Sequence, residues 1–278
     1  MNKYKIWTSA YGNPNNDALI LVTGGPGAPS YYFNPLLKLS DKFYVIIFDP
    51  IGSGRSTRQV DTADLSIDFF LEQIDAIRNR YKLDKFNIYG QSFGATFAAE
   101  YYRKYPNRIN SIIFSSPYFD TEKWQNDSKA LINNLPEEVR NTIKNAEITN
   151  DYSSESYSEA VNYFYNQHVA RKQPWSDDLQ KTFAELGTDV YVHLWGPNEF
   201  TPTGKFLKYS CLNILSEIKV PTLIIIGKYD EVLLETAQEF KSKIKNSILK
   251  VNDEAAHLTM HDNAEFDLLE IEKFLLEF

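Results

Sequence analysis

The chain has a single cysteine, Cys211, among its 278 residues. One thiol cannot form an internal disulfide, so nothing in the sequence requires an oxidising compartment, and a buried, inert side chain is the default interpretation. Long apolar runs are missing too: the run near residues 223–226 is far too short to span a bilayer. Residues 1–7 turn polar at once and lack the apolar centre of a signal peptide. We therefore expect a soluble, cytoplasmic protein.

Positive charge is also scarce. The 29 Lys and Arg residues are outnumbered by 37 Asp and Glu residues, which gives a formal net charge of −8. Nucleic acids and anionic membrane surfaces are bound through clustered Lys and Arg, so this balance argues against both as partners. Apolar residues make up 43% of the chain, which is ample for a packed interior in a protein of this length.

Motifs for nucleotides and metals are incomplete. The chain contains no Gly-x-x-x-x-Gly-Lys-[Ser/Thr] phosphate loop, and Gly52-Ser53-Gly54-Arg55-Ser56 lacks the third glycine of a dinucleotide fingerprint. His257 and His261 have the spacing of a zinc-binding helix, but no His-Glu-x-x-His pattern or nearby cysteine set accompanies them. Neither a nucleotide nor a metal ion is favoured as a ligand.

Short β-branched or aromatic runs predict the strands of a sheet. They are continuous rather than alternating, which is typical of parallel strands buried on both faces. Helical patterns over residues 65–81 and 95–105 lie between them, with apolar residues at spacings of three and four. This alternation predicts a doubly wound, mostly parallel α/β sheet with right-handed crossovers. The runs are residues 18–22, 43–48, 86–89, 112–114, 222–226 and 248–251.

Strand patterns vanish between about residues 119 and 210, where Tyr, Asn, Ser and Glu are frequent. We predict that residues 119–210 form a helical cap and that residues 1–118 and 211–278 form the core. Such an insertion would cover the carboxyl ends of the strands, where open α/β sheets bind ligands.

Sequence patterns predict where helices begin and end within the predicted cap. Pro136 suits the first turn of a helix, and Ser156 with Glu159 has the spacing of a capping box. Ser176 precedes a further helical stretch, which Gly187 could end.

The segment Gly90-Gln91-Ser92-Phe93-Gly94 follows a predicted strand and precedes a helix rich in small residues. In a Gly-x-Ser-x-Gly turn the glycines let neighbouring chains pass closely, while a strained serine projects its hydroxyl above the sheet. The five-residue pattern alone is weak, and a plain glycine turn is the alternative. In this context it favours Ser92 as a nucleophile.

A serine hydroxyl needs a base, and the base needs an acid to orient it. In folds with this turn the chain order is Ser, then Asp or Glu, then His. Asp230 follows the predicted strand 222–226 and is a candidate for this acid. The alternative interpretation is an aspartate that only stabilises a turn. Of four histidines only His257 and His261 follow Asp230. We assign His257 as the base, because it lies between the last predicted strand and the final helix, and leave His261 as a surface or supporting residue.

Acyl transfer also needs two N–H donors for the oxyanion. The first is expected from Phe93, directly after the nucleophile. The second is expected from the loop Thr23-Gly24-Gly25-Pro26-Gly27, whose glycines allow the backbone to face a ligand.

Together these motifs resemble the proline iminopeptidase family of α/β-hydrolases, and especially its tricorn-interacting aminopeptidase branch. The resemblance runs over most of the chain. Motifs of the core that carry it are Gly24-Gly25-Pro26-Gly27, Asp49 with the segment 52–56, the turn 90–94, and Gly227-Lys228-Tyr229-Asp230-Glu231. More specific are residues 159–165 and 196–200 of the predicted cap, and His257-Leu258-Thr259-Met260.

The resemblance implies roles for three further residues. Gly25 would supply the second oxyanion donor, and Glu199 and Glu231 would hold the free α-amino group of the substrate. An ammonium fixed between two carboxylates restricts cleavage to the first peptide bond. The bland alternatives are an exposed glutamate of the cap for Glu199 and a loop glutamate for Glu231.

The sequence departs from the family at the positions of Thr23, Pro50 and Ala95, where His, Gln and Gly are usual, and Phe93 replaces Trp or Tyr. A backbone donor survives the exchange at Phe93, but the preference for proline over other apolar residues is left open. We expect a serine aminopeptidase that acts on short peptides or aminoacyl substrates and needs no cofactor. The alternatives are an esterase or amidase that ignores the amine, and a non-catalytic binding protein.

Overall fold

The computed structural model describes residues 3–278, so the first two residues of the predicted core lie outside the described residues. Its centre is a seven-stranded sheet with the strand order β1-β3-β2-β4-β5-β6-β7. Strand β1 is antiparallel to β3, and the other neighbours are parallel, so the predicted mostly parallel α/β sheet is confirmed. The strands are β1 Trp7–Tyr11, β2 Ala18–Val22, β3 Tyr44–Asp49, β4 Phe86–Gln91, β5 Ile109–Ser115, β6 Thr222–Gly227 and β7 Ser247–Asn252.

Strand β2 shows why the apolar runs are continuous. Ile20 and Val22 belong to the hydrophobic cluster on one side of the sheet, and Leu19 and Leu21 belong to the cluster on the other. Both faces are therefore packed, as the sequence predicts. Strand β1 has no such run and was not predicted: all five of its residues are only half-buried, because it lies at the edge of the sheet.

Helices cover both faces of the sheet. Helix α1 begins after Ser66, whose hydroxyl accepts a hydrogen bond from the Phe69 N–H at 3.2 Å, as expected of an N-cap. The core helices are α1 Ile67–Arg80, α2 Phe93–Lys104, α9 Leu234–Lys243, α10 Thr259–Asp262 and α11 Ala264–Glu277, with 3₁₀ turns at Ser30–Asp41, Thr62–Asp64 and Pro106–Arg108. Within residues 3–278 none of the helices has both the length and the apolar character needed to cross a membrane.

The chain between β5 and β6 is helical. Two backbone hydrogen bonds join the beginning and the end of this insertion. The Thr121 N–H donates to the Tyr209 carbonyl at 3.0 Å, and the Cys211 N–H donates to the Phe119 carbonyl at 2.9 Å. Cys211 is buried there, and burial raises the pKa of its thiol to about 12. The helices of this insertion are α3 Thr121–Asn133, α4 Glu137–Thr149, α5 Glu155–His168, α6 Asp177–Ala184 and α7 Thr188–Leu194, and α8 Leu212–Leu215 lies between its end and β6.

Two predicted helix boundaries in the insertion are wrong. Helix α5 is capped by Ser154, whose hydroxyl accepts from the Tyr157 N–H at 3.2 Å, so Ser156 lies inside the helix and makes no capping box. Helix α6 does begin after Ser176, but it ends at Ala184, and Gly187 instead precedes α7. Several serines lie close together at the start of α5, and which of them caps the helix depends on tertiary packing.

Candidate active site

Ser92 lies at the sharp turn between β4 and α2. Its backbone adopts φ 53° and ψ −121°, a strained conformation for a residue with a side chain. The turn is possible only because of its two glycines: a Cβ on Gly90 would overlap the Gly94 backbone, and a Cβ on Gly94 would overlap the Val22 carbonyl. The strain therefore presents the Ser92 hydroxyl at the carboxyl end of the sheet.

The Asp230 carboxylate lies in the loop after β6 and is buried. It accepts hydrogen bonds from His257 Nδ1 at 2.8 Å, the Ser116 hydroxyl at 2.6 Å, and the N–H groups of Gly227 and Val232 at 3.0 and 3.1 Å. A carboxylate only accepts, so Nδ1 of His257 carries the proton. In the neutral imidazole the lone pair is then on Nε2, as a general base requires.

Ser92 and His257 line one cavity, together with Gly25 and Gln91. No hydrogen bond joins the Ser92 hydroxyl to the imidazole among residues 3–278. Catalytic hydrogen bonds are often long in ligand-free enzymes and tighten when the substrate binds. Two predicted members of the triad thus line the cavity, and the third, Asp230, is in contact with the base.

Of the two predicted oxyanion donors, Phe93 follows Ser92 in the chain and Gly25 lines the same cavity as Ser92. Phe93 is the first residue of α2, so its N–H has no partner within the helix. Gly25 lines the cavity at φ +106°, a conformation that favours glycine. A chain of hydrogen bonds anchors the neighbouring residue: the Gly24 N–H donates to the Tyr32 hydroxyl, which donates to Gln91 Oε1, each at 3.0 Å.

Glu199 and Glu231 differ in position. Glu199 is half-buried and lines the cavity, whereas the Glu231 carboxylate is fully buried and has no hydrogen-bond partner in the described chain. Glu231 Oε2 lies 3.8 Å from His257 Nδ1. Neither carboxylate is freely exposed to solvent, although an exposed glutamate of the cap or of a loop was the non-functional interpretation of these residues. A buried carboxylate without a partner is costly, and an incoming cation would relieve that cost.

Burial raises the pKa of both glutamates. For Glu199, the nearby His257 and the Tyr191 hydroxyl oppose the rise in pKa, although the hydroxyl does not meet the geometry of a hydrogen bond. For Glu231, repulsion from Glu199 and then from Asp230 raises the pKa further, well above its ordinary value. Three carboxylates in so small a region favour a positively charged ligand.

The rest of the cavity is mostly apolar. The cavity and the open solvent at its mouth together occupy about 490 Å³. Two of the polar exceptions are Thr182 and Tyr191 of the insertion. The cavity can therefore hold an apolar acyl group beside the serine. Its apolar wall is formed by Ala28, Val169, Leu179, Phe183, Leu186 and Leu258.

Several residues of the site carried no local signal in the sequence. Tyr32 lies in a 3₁₀ turn, and Ser116 follows β5 at φ 47°, yet they support the oxyanion loop and Asp230 respectively. Gln91 was visible only as the variable residue of the serine turn. Their roles depend on contacts between residues far apart in the chain, which no motif spacing reveals.

Two further features named in the sequence analysis, the segment 52–56 with Asp49 and His261, lie outside the cavity. Arg55 forms a 2.7 Å ion pair with Asp49 and stacks between the rings of Trp7 and Tyr31, so this motif stabilises the fold. The His261 ring has a buried Nε2 without a partner in the described chain and is not part of the Asp230 pair.

Comparison with known proteins agrees with this geometry. The family described as having the alpha/beta hydrolase fold matches residues 17–264. The proline iminopeptidase of Heyndrickxia coagulans is 34% identical over 266 residues, which are 95% of this chain and 92% of that protein. A crystal structure of the proline iminopeptidase of Mycobacterium smegmatis superposes with a TM-score of 0.91 at 25% identity, over 99% of this chain and 95% of that one. The crystal structure of VinJ gives a TM-score of 0.95 over 100% of this chain and 96% of that one, and at 24% identity it shows the fold alone.

Proposed function

The chain belongs to the proline iminopeptidase family of α/β-hydrolases, and from this premise we propose that it is a serine aminopeptidase. It releases N-terminal residues, proline or other apolar residues, from short peptides through an acyl-enzyme. The observation that supports the proposal most is the Asp230–His257 pair, because His257 and Ser92 line a cavity that also contains a half-buried carboxylate, Glu199.

In the proposed reaction the Ser92 hydroxyl attacks the carbonyl carbon of the first residue while His257 Nε2 takes its proton. The N–H groups of Gly25 and Phe93 hold the oxyanion of the tetrahedral intermediate. Collapse breaks the peptide C–N bond, and His257 returns the proton to the leaving amine. Water then hydrolyses the acyl-enzyme by the same route, which regenerates Ser92.

The free amine of the substrate distinguishes an aminopeptidase from other hydrolases. Glu199 lines the cavity and would contact the ammonium, while Glu231 is a second buried carboxyl group whose charged form the ammonium would stabilise. Burial makes this attraction stronger than it would be in water. Because the ammonium is fixed at one distance from Ser92, only the first peptide bond reaches the nucleophile.

The insertion acts in this proposal as a cap over the cavity. The hydrogen bonds that join the two ends of the insertion, close to residues 119 and 210, support these boundaries for the cap. The cap supplies Glu199 and most of the apolar wall, including Leu179 and Phe183. Membership of the tricorn-interacting branch and a cytoplasmic location stay predictions, as does action without a cofactor.

A paired-substrate assay tests the proposed function. We expect fluorogenic aminoacyl amides of proline and of larger apolar residues to be cleaved with a free amine and to lose at least about tenfold in kcat/KM when N-acetylated, the scale of one charge-assisted hydrogen bond. Equal cleavage of both forms would instead favour an esterase or amidase. Failure of a fluorophosphonate to label Ser92 would favour a non-catalytic binding protein.

A further inference from the structure

The two loops that carry Asp230 and His257 are both hydrogen-bonded to one short segment of the insertion. This segment, residues 168–172, extends from the last residue of α5, and we call it the strap. We propose that the strap positions the acid and the base of the triad through two residues, His168 and Asp262. The inference rests on the proposed function, since it concerns the same triad.

Backbone contacts join the strap to the base. The His257 N–H donates to the His168 carbonyl at 3.0 Å, and the Leu258 N–H donates to the Val169 carbonyl at 2.8 Å. Two successive bonds fix both the position and the direction of the backbone that carries the imidazole. Val169 and Leu258 also line the cavity side by side, so the strap forms part of the cavity wall.

Asp262 strengthens this junction. One oxygen of its carboxylate accepts from the N–H groups of Arg171 and Lys172, each at 2.8 Å, and the other accepts from the Ala256 N–H at 2.8 Å. A single carboxylate thus joins the strap to the residue that precedes His257. Hydrogen bonds to a charged acceptor are about twice as strong as neutral ones, so this link is stiffer than ordinary loop contacts.

The strap also reaches the loop of the acid. His168 Nδ1 lies 2.9 Å from the Tyr229 carbonyl, and since a carbonyl only accepts, Nδ1 is the donor. Burial lowers the pKa of His168, which favours the neutral ring with this one proton. The Arg171 guanidinium lies 3.6 Å from the centre of the Tyr229 ring. Tyr229 directly precedes Asp230.

Neither His168 nor Asp262 lines the cavity, so both act through other residues. Because the strap belongs to the cap, the relative position of acid and base depends on the docking of the cap against the core. A misplacement of about 1 Å in a catalytic constellation can cost on the order of 100-fold in rate. Loosening the strap should therefore lower kcat, while Glu199, which lies outside both loops, still binds the amine.

The test compares four variants. Asp262→Asn removes the charge that gathers three N–H donors, and His168→Ala removes the donor to Tyr229. His168→Asn retains an N–H donor near the Nδ1 position. Asp253→Asn is the matched control, because Asp253 is in the same loop as His257, its side chain is 83% exposed and its ion pair with Lys228 spans 3.9 Å.

We expect kcat on a free aminoacyl amide to fall roughly 10- to 100-fold in Asp262→Asn and His168→Ala, with KM changed less than about threefold. His168→Asn should restore most of the loss, and Asp253→Asn should behave as wild type. Labelling of Ser92 by a fluorophosphonate should slow in parallel, since it needs the triad but not the amine. Thermal unfolding identifies the variants that are folded at the assay temperature.

Unchanged labelling and kcat in folded Asp262→Asn or His168→Ala would overturn the positioning role. So would a rise in KM alone. If Asp262→Asn does not fold, the test depends on the variants His168→Ala and His168→Asn. The proposal is also refuted if His168→Asn does not recover the kcat that His168→Ala loses. Wild-type protein that is labelled but cleaves no aminoacyl amide would instead count against the proposed peptidase activity.

Discussion

His257 Nδ1 lies 2.8 Å from Asp230 Oδ1, although the two residues are 27 positions apart in the chain. Three further donors hold the same carboxylate, so its orientation is fixed before a substrate arrives. Fixing the acid also fixes which imidazole nitrogen carries the proton. The contact therefore selects the tautomer: in the neutral imidazole the lone pair lies on Nε2, the nitrogen that a general base would use.

Asp230→Asn tests this relationship. An amide in place of the carboxylate can donate to Nδ1 and so stabilise the wrong tautomer, and we expect kcat to fall about 10⁴-fold with little change in KM. Steady-state kinetics on a free aminoacyl amide measure the effect. Asp127→Asn is the matched control, since Asp127 is a buried acceptor of two hydrogen bonds from Leu233 and Thr236 and does not contact His257. A similar loss in both variants would refute a specific role for Asp230.

Ser92→Ala should abolish turnover while the protein stays folded. Removing the nucleophile of such a triad costs at least about 10⁴-fold in kcat. The control is Ser128→Ala, because the Ser128 hydroxyl is buried without a partner among the described residues and lies outside the cavity. Kinetics and circular-dichroism melting are measured for both variants. Wild-type-like turnover by Ser92→Ala would exclude Ser92 as the nucleophile.

Glu199→Gln should harm only substrates that carry a free amine. We expect kcat/KM for the free aminoacyl amide to fall about 10- to 100-fold, the scale of one charge-assisted hydrogen bond, and kcat/KM for the N-acetylated form to change little. Glu147→Gln is the control: it is another glutamate of the insertion whose pKa is raised by burial, and it lies outside the catalytic cavity. An equal loss on both substrates would disprove recognition of the amine by Glu199.

Asp267→Asn should change how stability depends on pH. Burial raises the pKa of Asp267 to about 7, although hydrogen bonds from Thr259 and Asn252 oppose the rise. Between its ordinary pKa and about 7 the unfolded chain loses a proton that the folded protein keeps, so stability falls as pH rises, by at most about 1.4 kcal/mol per pH unit from this group. Asp267→Asn has no ionisable group at this position, so it lacks this pH-dependent contribution to the free energy of unfolding.

Urea unfolding at pH 4.5, 6 and 7.5 measures that difference. The free energy of unfolding should improve in Asp267→Asn relative to wild type as the pH rises over this range. Asp253→Asn, with its exposed side chain, serves as the control and should follow the wild-type curve. Parallel curves for wild type and Asp267→Asn would show that Asp267 ionises normally in the folded protein.

The sequence by itself determined the parts of this protein that have a local signature. Apolar runs such as residues 18–22 predicted strands because both faces of each strand are packed, and the two glycines around Ser92 predicted the turn because no side chain fits there. Chain order then singled out Asp230 and His257 as partners, and the structure places them in contact.

Only the tertiary structure decided what depends on contacts between distant segments. The half-buried strand β1, the Ser116 hydroxyl on Asp230, the burial of Glu231 and the triple contact of Asp262 leave no periodic or spaced pattern in the sequence. Each arises where separate segments meet, and the free energy of such contacts depends on packing and desolvation rather than on neighbours in the chain. For that reason the sequence could single out Asp230 and His257, while the contacts of the strap with both of their loops became visible only in three dimensions.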